Sequence, residues 1–303
     1  MKVLIIFTGG TIGSMANDGF IAPNEQSRHC LLENYYSKHG TGVEFETMTP
    51  YWSLSETLNA EKLNILTSTV AQHVGGYDGI IVTHGTDTLQ YAAAALSLTV
   101  ECHVPVVVVS SNYPLDNPKA NGNDNFYAAV EFIKSGTEGV FVAYRNDDGK
   151  QLFHRTDRVL RHAEMSHEVQ SAGSPFALLK DGKIEVLDQS EPQKPKFCGV
   201  KLKSDVCVLN IVAHPNDRFK YSLDEVGAVL FQPYHSGTLD TENPEIRRFC
   251  FDAASRKIPV FACDIMSGDQ YETSREFAEL GVVPLINEPS PFSYMKLWYS
   301  LSK

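Results

Sequence analysis

Residues 79–100, GIIVTHGTDTLQYAAAALSLTV, read as a strand, a loop and a helix in immediate succession. Ile80, Ile81 and Val82 form an unbroken β-branched run, as expected of a strand buried on both faces. Thr83-His84-Gly85-Thr86-Asp87-Thr88 interrupts it with turn and capping residues, and the apolar spacing from Leu89 to Val100 predicts a helix. Comparable apolar runs recur at 3–7, 104–110, 140–144, 206–211 and 260–263, with helical spacing at 125–134 and 244–256. This alternation predicts an α/β fold, a largely parallel sheet wrapped by helices.

The chain has 303 residues, enough for two domains. Residues 188–204, DQSEPQKPKFCGVKLKS, are polar, carry two prolines and lack an amphipathic period. We read them as a linker between a larger domain at 1–187, with about four parallel strands, and a smaller parallel α/β domain at 205–303. Just before the linker, 176–187 predicts a β-hairpin around Asp181-Gly182.

With 26 basic against 37 acidic residues the formal charge is −11, and no basic run opposes a phosphate backbone, so nucleic acid is not an expected partner. The apolar run at 3–7 is shorter than the roughly 7–15 residues of a secretory signal core. No stretch approaches the roughly 18 apolar residues of a membrane span. Six scattered cysteines without CxxC or zinc-type spacing suggest buried free thiols in a reducing compartment. The expectation is a cytoplasmic, metal-free protein that needs no cofactor and meets no membrane.

Ligands of open parallel sheets bind beyond the carboxyl ends of strands. Two such loops present a threonine: Thr8-Gly9-Gly10-Thr11-Ile12-Gly13-Ser14 after the first strand, and the 84–88 loop after the second. The first lacks both GxGxxG spacing and a Walker lysine, so a dinucleotide site is not expected. In the second, Thr86 or Asp87 could simply cap the helix. Alternatively, a threonine hydroxyl polarised by an adjacent carboxylate serves acyl transfer or amide hydrolysis, with helix-start amides holding a carboxylate or oxyanion. The residues alone leave both readings open.

Together, residues 8–14 and 84–88 resemble the two signature segments of the bacterial L-asparaginase family of threonine amidohydrolases. Ala120-Asn121-Gly122, Asn125 to Ala129, Ser174-Pro175, Asp181 to Ile184, Met266-Ser267-Gly268 and Glu279 to Val283 extend the similarity, more loosely in the C-terminal part. The resemblance implies hydrolysis of the asparagine side-chain amide to aspartate and ammonia through an acyl-enzyme. It makes Thr11 the nucleophile, with Thr86 and Asp87 supporting it and contacting the substrate's amino group. Ser55 and Glu56 would hold the carboxylate and amine ends of the substrate, although Ser55 also reads as a helix N-cap. Tyr234-His235-Ser236-Gly237-Thr238 would approach a neighbouring subunit's site, in a homodimer or homotetramer.

Two departures accompany the resemblance. Phe20 stands where the family's N-terminal loop carries a tyrosine, and a phenyl ring neither donates nor accepts a proton. Arg161 falls where the family's threonine–aspartate–lysine relay has its lysine, with Arg158 the nearest rival, and arginine cannot act as a base. His162 adjoins that position and is a candidate to enter the site, whereas His84 reads as a local turn contact and His167 as a surface residue. Two further readings stay open: a glutaminase or other small-amide hydrolase, and a non-catalytic amino-acid-binding protein.

Overall fold

A computed structural model describes every residue except Glu25. The chain forms two compact units, Met1–Gly199 and Val200–Lys303, which divide inside the 188–204 stretch. In the first, strands β1 (Lys2–Phe7), β2 (Ser14–Asn17), β3 (Phe20–Pro23), β4 (Glu44–Met48), β5 (Gly79–Thr83), β6 (Pro105–Val109), β7 (Gly139–Arg145), β8 (Gln151–Arg155), β9 (Ala177–Lys180) and β10 (Lys183–Val186) accompany helices α1 (Gln26–His39), α2 (Ala60–His73), α3 (Leu89–Thr99) and α4 (Gly122–Ile133). Eight strands make one sheet in the order β10-β9-β8-β7-β6-β5-β1-β4. The members from β7 to β4 are parallel, and β8, β9 and β10 are added antiparallel.

Every residue of β5 and β6 is buried, which explains why these strands read as continuous apolar runs rather than alternating ones. Val3, Ile5, Ile81, Val107 and Val109 face a core shared with Leu31 of α1 and with Phe126 and Phe132 of α4. Phe132, Phe141, Phe153 and Phe176 extend it, with ring centroids 4.5 Å apart for Phe132–Phe153 and 4.8 Å for Phe141–Phe176. Helices α1 and α4 pack against each other, yet α1 leads from β1 outward to β4 while α4 leads from β6 in the opposite direction, to β7. Two parallel crossovers on one face that run in opposite directions have opposite hands. One of them is therefore left-handed, against the usual rule.

The second unit stacks β11 (Cys207–Val212), β12 (Val226–Gln232), β13 (Val260–Ile265) and β14 (Val282–Ile286) in sequence order, all parallel. Helix α5 (Pro244–Ser255) starts at an Asn243 cap and buries Ile246, Phe249 and Ala253 in one core. Helix α6 (Ser290–Leu301) places Leu297 in a second core with Val208 and Leu230.

Sequence reading did not anticipate several elements. The segment after Ser14 is a hairpin, β2 paired with β3, turned by Asp18 and Gly19 at φ +48° and +80°; two consecutive positive φ values are the type I′ pattern. Strand β4 mixes charged and apolar residues at the sheet edge, so its signal was weak. The expectation of buried cysteines holds only for Cys250 and Cys263, because Cys30, Cys198 and Cys207 are exposed. Residues 188–199 lie with the first unit: the Lys196 and Phe197 amides both donate to the Leu98 carbonyl, and Arg155 reaches Ser190. Among the described residues no helix is long and apolar enough to cross a membrane.

Fully buried Phe141 joins sheet and helix in this aromatic cluster. Phe141→Ala is expected to lower unfolding free energy by about 3–5 kcal/mol in urea titration, from lost burial plus the residual cavity.

Candidate active site

Beyond the carboxyl ends of β4, β1 and β5 the backbone ladder continues into the loops. The Thr8 amide donates to the Thr83 carbonyl, the Ser53 amide to the Thr8 carbonyl, and the Gly10 amide to the Ser53 carbonyl. Gly9 and Gly10 have φ of +104° and +75°, conformations that disfavour side chains. A Cβ on Gly10 would lie 2.3 Å from the Gly85 Cα, and one on Gly85 would lie 2.4 Å from the Ser55 Oγ. Three loops therefore touch through atoms that only glycine leaves uncovered. Thr11 and Thr86 are each one Cα step, about 3.8 Å, from the Gly10–Gly85 contact. The glycines explain why both threonine loops occur together.

Thr11 opens a short 3-10 turn, Thr11–Gly13, and Thr86 opens another, Thr86–Thr88, that leads into α3. Both threonines are half-buried, while Asp87 is exposed. Neither Thr86 nor Asp87 caps the helix with its side chain. Ser55 is buried and donates from Oγ to the Asp87 carboxylate at 3.2 Å. The N-cap of α2 is Asn59, which accepts from the Lys62 amide, so capping does not account for Ser55. Glu56 is exposed at the same turn. The loops carrying Thr11, Ser55–Glu56 and Thr86–Asp87 thus meet at the carboxyl end of the sheet, and their hydroxyls and carboxylates are the residue types suited to nucleophilic attack with anionic recognition of an amine.

His84 makes the expected local contact in its own turn and adds a long-range one to the first loop. Its Nδ1 lies 2.9 Å from the Thr8 Oγ and its Nε2 lies 3.0 Å from the Thr88 Oγ. Thr8 also faces the Thr83 carbonyl at 2.7 Å, and Thr88 faces the Ser55 carbonyl at 2.9 Å. Each hydroxyl has one proton. If both protons went to carbonyls, the ring would have to donate from both nitrogens and be charged. Burial pushes the His84 pKa down to about 4, so the ring is neutral near pH 7 and one of the two hydroxyls turns its proton toward it. Burial likewise pushes the nearby Tyr51 up to about 12. The sequence does not announce Thr8 as a partner of His84; its trace is a threonine that opens the 8–14 motif.

The other sequence candidates are placed as follows. Phe20 lies on β3 with 79% of its surface exposed. Arg161 is exposed and Arg158 half-buried, in the stretch between β8 and β9. His162 is half-buried, and its pKa is lowered chiefly by burial, with the backbone of Glu168 and the Asp87 carboxylate opposing that effect. His167 is exposed and within 3.4 Å of the Tyr113 hydroxyl. In the second unit, the Tyr234–Thr238 turn closes on itself, with the Tyr234 amide donating to the Thr238 carbonyl.

Residues 2–191 match the model of the asparaginase family's N-terminal region. The L-asparaginase of Thermococcus kodakarensis is 26% identical over 320 aligned positions, covering 99% of this chain and 93% of that one. A glutamyl-tRNA(Gln) amidotransferase component from Methanosphaera stadtmanae is 28% identical over 199 positions, covering 61% of this chain and 43% of that longer one. The solved structure of the thermostable L-asparaginase from Thermococcus kodakarensis superposes with a TM-score of 0.83 over the whole chain and 93% of its own, at 24% identity. The chain belongs to the asparaginase family and has its two-domain α/β fold.

The glycine contact and the buried imidazole each give a measurable outcome. Gly10→Ala and Gly19→Ala impose nearly the same left-handed strain, about 1–2 kcal/mol, but a Cβ on Gly19 meets nothing within 4 Å. Urea unfolding should therefore show a substantially larger loss for Gly10→Ala; equal losses would contradict the close-contact account. His84 and His154, whose burial also lowers its pKa to about 4, bind protons more weakly folded than unfolded. Stability is then fully present above pH 6.5 and falls by about 3 kcal/mol per histidine as pH drops to 4. His84→Gln should flatten that decline by about half its histidine component.

Proposed function

We propose that this chain hydrolyses the side-chain amide of L-asparagine to L-aspartate and ammonia, with Thr11 as nucleophile. The observation that carries this reading is the meeting of the Thr11 and Thr86–Asp87 loops at the Gly10–Gly85 contact, in a chain of the asparaginase family. In this mechanism the Thr11 oxygen attacks the amide carbon, the carbonyl π pair moves to oxygen, and ammonia leaves to give an acyl-enzyme that water hydrolyses. Asp87, fixed by the Ser55 hydroxyl, receives the substrate's ammonium group. Thr86 supports the reacting centre, and Ser55 with Glu56 borders the α-carbon end. Arg161, exposed on the neighbouring stretch, is at most an electrostatic neighbour, because it holds its proton throughout. The protein acts in the cytoplasm without cofactor or metal, on a small amino-acid substrate, as a homodimer or homotetramer.

A second reading keeps the chemistry and changes the amide to that of glutamine or another small substrate. It is favoured by the similarity to an amidotransferase component, and by the exposed Glu56, which reads an amine without measuring side-chain length. Exposed Phe20, which cannot move a proton, favours a third, in which the pocket binds an amino acid without turnover.

Ammonia release from purified protein separates these. L-asparagine should be turned over with kcat/KM above that for L-glutamine, and Thr11→Ala should reduce kcat by at least about 10³-fold, as for loss of a nucleophile. Activity surviving Thr11→Ala would remove Thr11 from its role, a higher kcat/KM for glutamine would select the second reading, and aspartate binding without turnover would select the third.

A further inference from the structure

Thr11 lies between two anchor points that consecutive residues of the loop after β4 provide. On its N-terminal side, Ser53 runs alongside Gly9 as a parallel bridge, its amide donating to the Thr8 carbonyl and its carbonyl accepting from the Gly10 amide. On its C-terminal side, the indole of Trp52 closes on Gly13. A Cβ on Gly13 would lie 2.7 Å from Cη2 of that ring, 3.0 Å from Cζ2 and 3.5 Å from Cζ3. Unlike Gly9 and Gly10, Gly13 does not have a positive φ, so its backbone accepts a side chain and it is the indole that excludes one.

The turn between these anchors is closed on itself by hydrogen bonds. The Gly13 amide donates to the Gly10 carbonyl at 2.9 Å, the Ser14 amide to the Thr11 carbonyl, and the Ser14 hydroxyl to the Gly10 carbonyl at 2.8 Å. The Gly13 carbonyl accepts from the Asn24 amide, and Ile12 is buried in the core shared with α1 and α4. A displacement of Gly13 is therefore passed to Thr11, two residues back in the same turn. The indole is held in its turn. It packs against the apolar core that buries Ile12. The guanidinium of Arg28, on α1, lies over its ring at 5.2 Å from the centroid, and Arg28 Nη1 donates to the Thr49 Oγ at 2.8 Å.

We propose that Trp52 is a positioning residue for the nucleophile, holding the Thr11–Gly13 turn through Gly13 so that the Thr11 hydroxyl is set for attack. This rests on the amide-hydrolysis reading above. A misplacement of about 1 Å at a reacting centre costs about 10²-fold in rate. Trp52 and Gly13 are complementary in volume, because the outer atoms of the indole fill the space that a methyl on residue 13 would take. Withdrawing those atoms leaves a gap into which the turn can sink, and adding the methyl pushes the turn away. Making both changes brings the two residues back into contact. Asp87 and the Ser55 hydroxyl, which meet the substrate's amine end in this reading, are bonded to each other. Substrate affinity therefore survives a shift of the Thr11 turn that slows the chemistry.

The test is ammonia release by the full chain from L-asparagine, as kcat and KM, for wild type, Trp52→Phe, Gly13→Ala and the double variant. Aspartate affinity is measured by calorimetry and folding by urea titration. Trp52→Phe keeps an aromatic face for Arg28 but withdraws the atoms that meet Gly13. It should lose about tenfold or more in kcat while KM and aspartate affinity stay within about threefold. Gly13→Ala should lose at least as much in kcat, and the double variant should be faster than either single variant, a coupling that independent losses of stability do not produce. A double variant no faster than the better single variant overturns this proposal. If Gly13→Ala does not fold, Trp52→Phe decides alone: wild-type kcat, or an equal loss of kcat and aspartate affinity, overturns the proposal and leaves the hydrolysis reading standing. No ammonia from wild type despite aspartate binding overturns the hydrolysis reading and this proposal with it.

Discussion

The close approach of the Gly10 and Gly85 backbones is the constraint on which the site depends. Two neighbouring parallel strands, β1 and β5, end side by side, and their loops can cross above the sheet only where neither carries a Cβ. Gly9 repeats the requirement against Ser53, so the loop after β4 joins the same contact. Once these three backbones touch, the residues that follow them, Thr11, Ser55 and Thr86, have little freedom to be anywhere except together. Polar satisfaction then fills the space below: Thr8, His84, Thr88 and the Ser55 carbonyl form one hydrogen-bonded chain linking all three loops. Burial keeps His84 neutral, so this chain fixes geometry without adding charge under the reacting groups.

Much of this was legible from residue order. The β-branched runs at β1, β5 and β6 are buried on both faces, and such strands advertise themselves by composition alone. The Asp181-Gly182 turn was readable because its two residues adopt positive φ, +49° and +70°, where few other pairs can. Strand β4 and the β2–β3 hairpin were not legible, since an edge strand and a two-stranded ribbon bury too little to impose an apolar pattern. Nor could sequence reveal that α1 and α4 share a face with opposite crossover hands, a property of the arrangement rather than of any segment.

The candidate site divides in the same way. Thr11, Thr86 and Asp87 stood out because their motifs are short and rich in residues that serve no helix or strand. Ser55 was ambiguous until Asn59 proved to be the helix cap and the Ser55 hydroxyl proved to face Asp87. The local bond of His84 to Thr88 was legible, whereas its bond to Thr8, 76 positions away, was not. Arg161 and His162 are adjacent in sequence and differ in burial, a distinction invisible to any alignment of letters. The −11 charge names no ligand.

The central claim is that the glycine contact builds a threonine nucleophile for amide hydrolysis. Mass spectrometry of protein quenched during turnover of L-asparagine addresses it most directly, by locating the acyl group on the chain. The account predicts an aspartyl ester on Thr11, absent without substrate. An ester on Thr86, or steady ammonia release with no ester at Thr11, would contradict it.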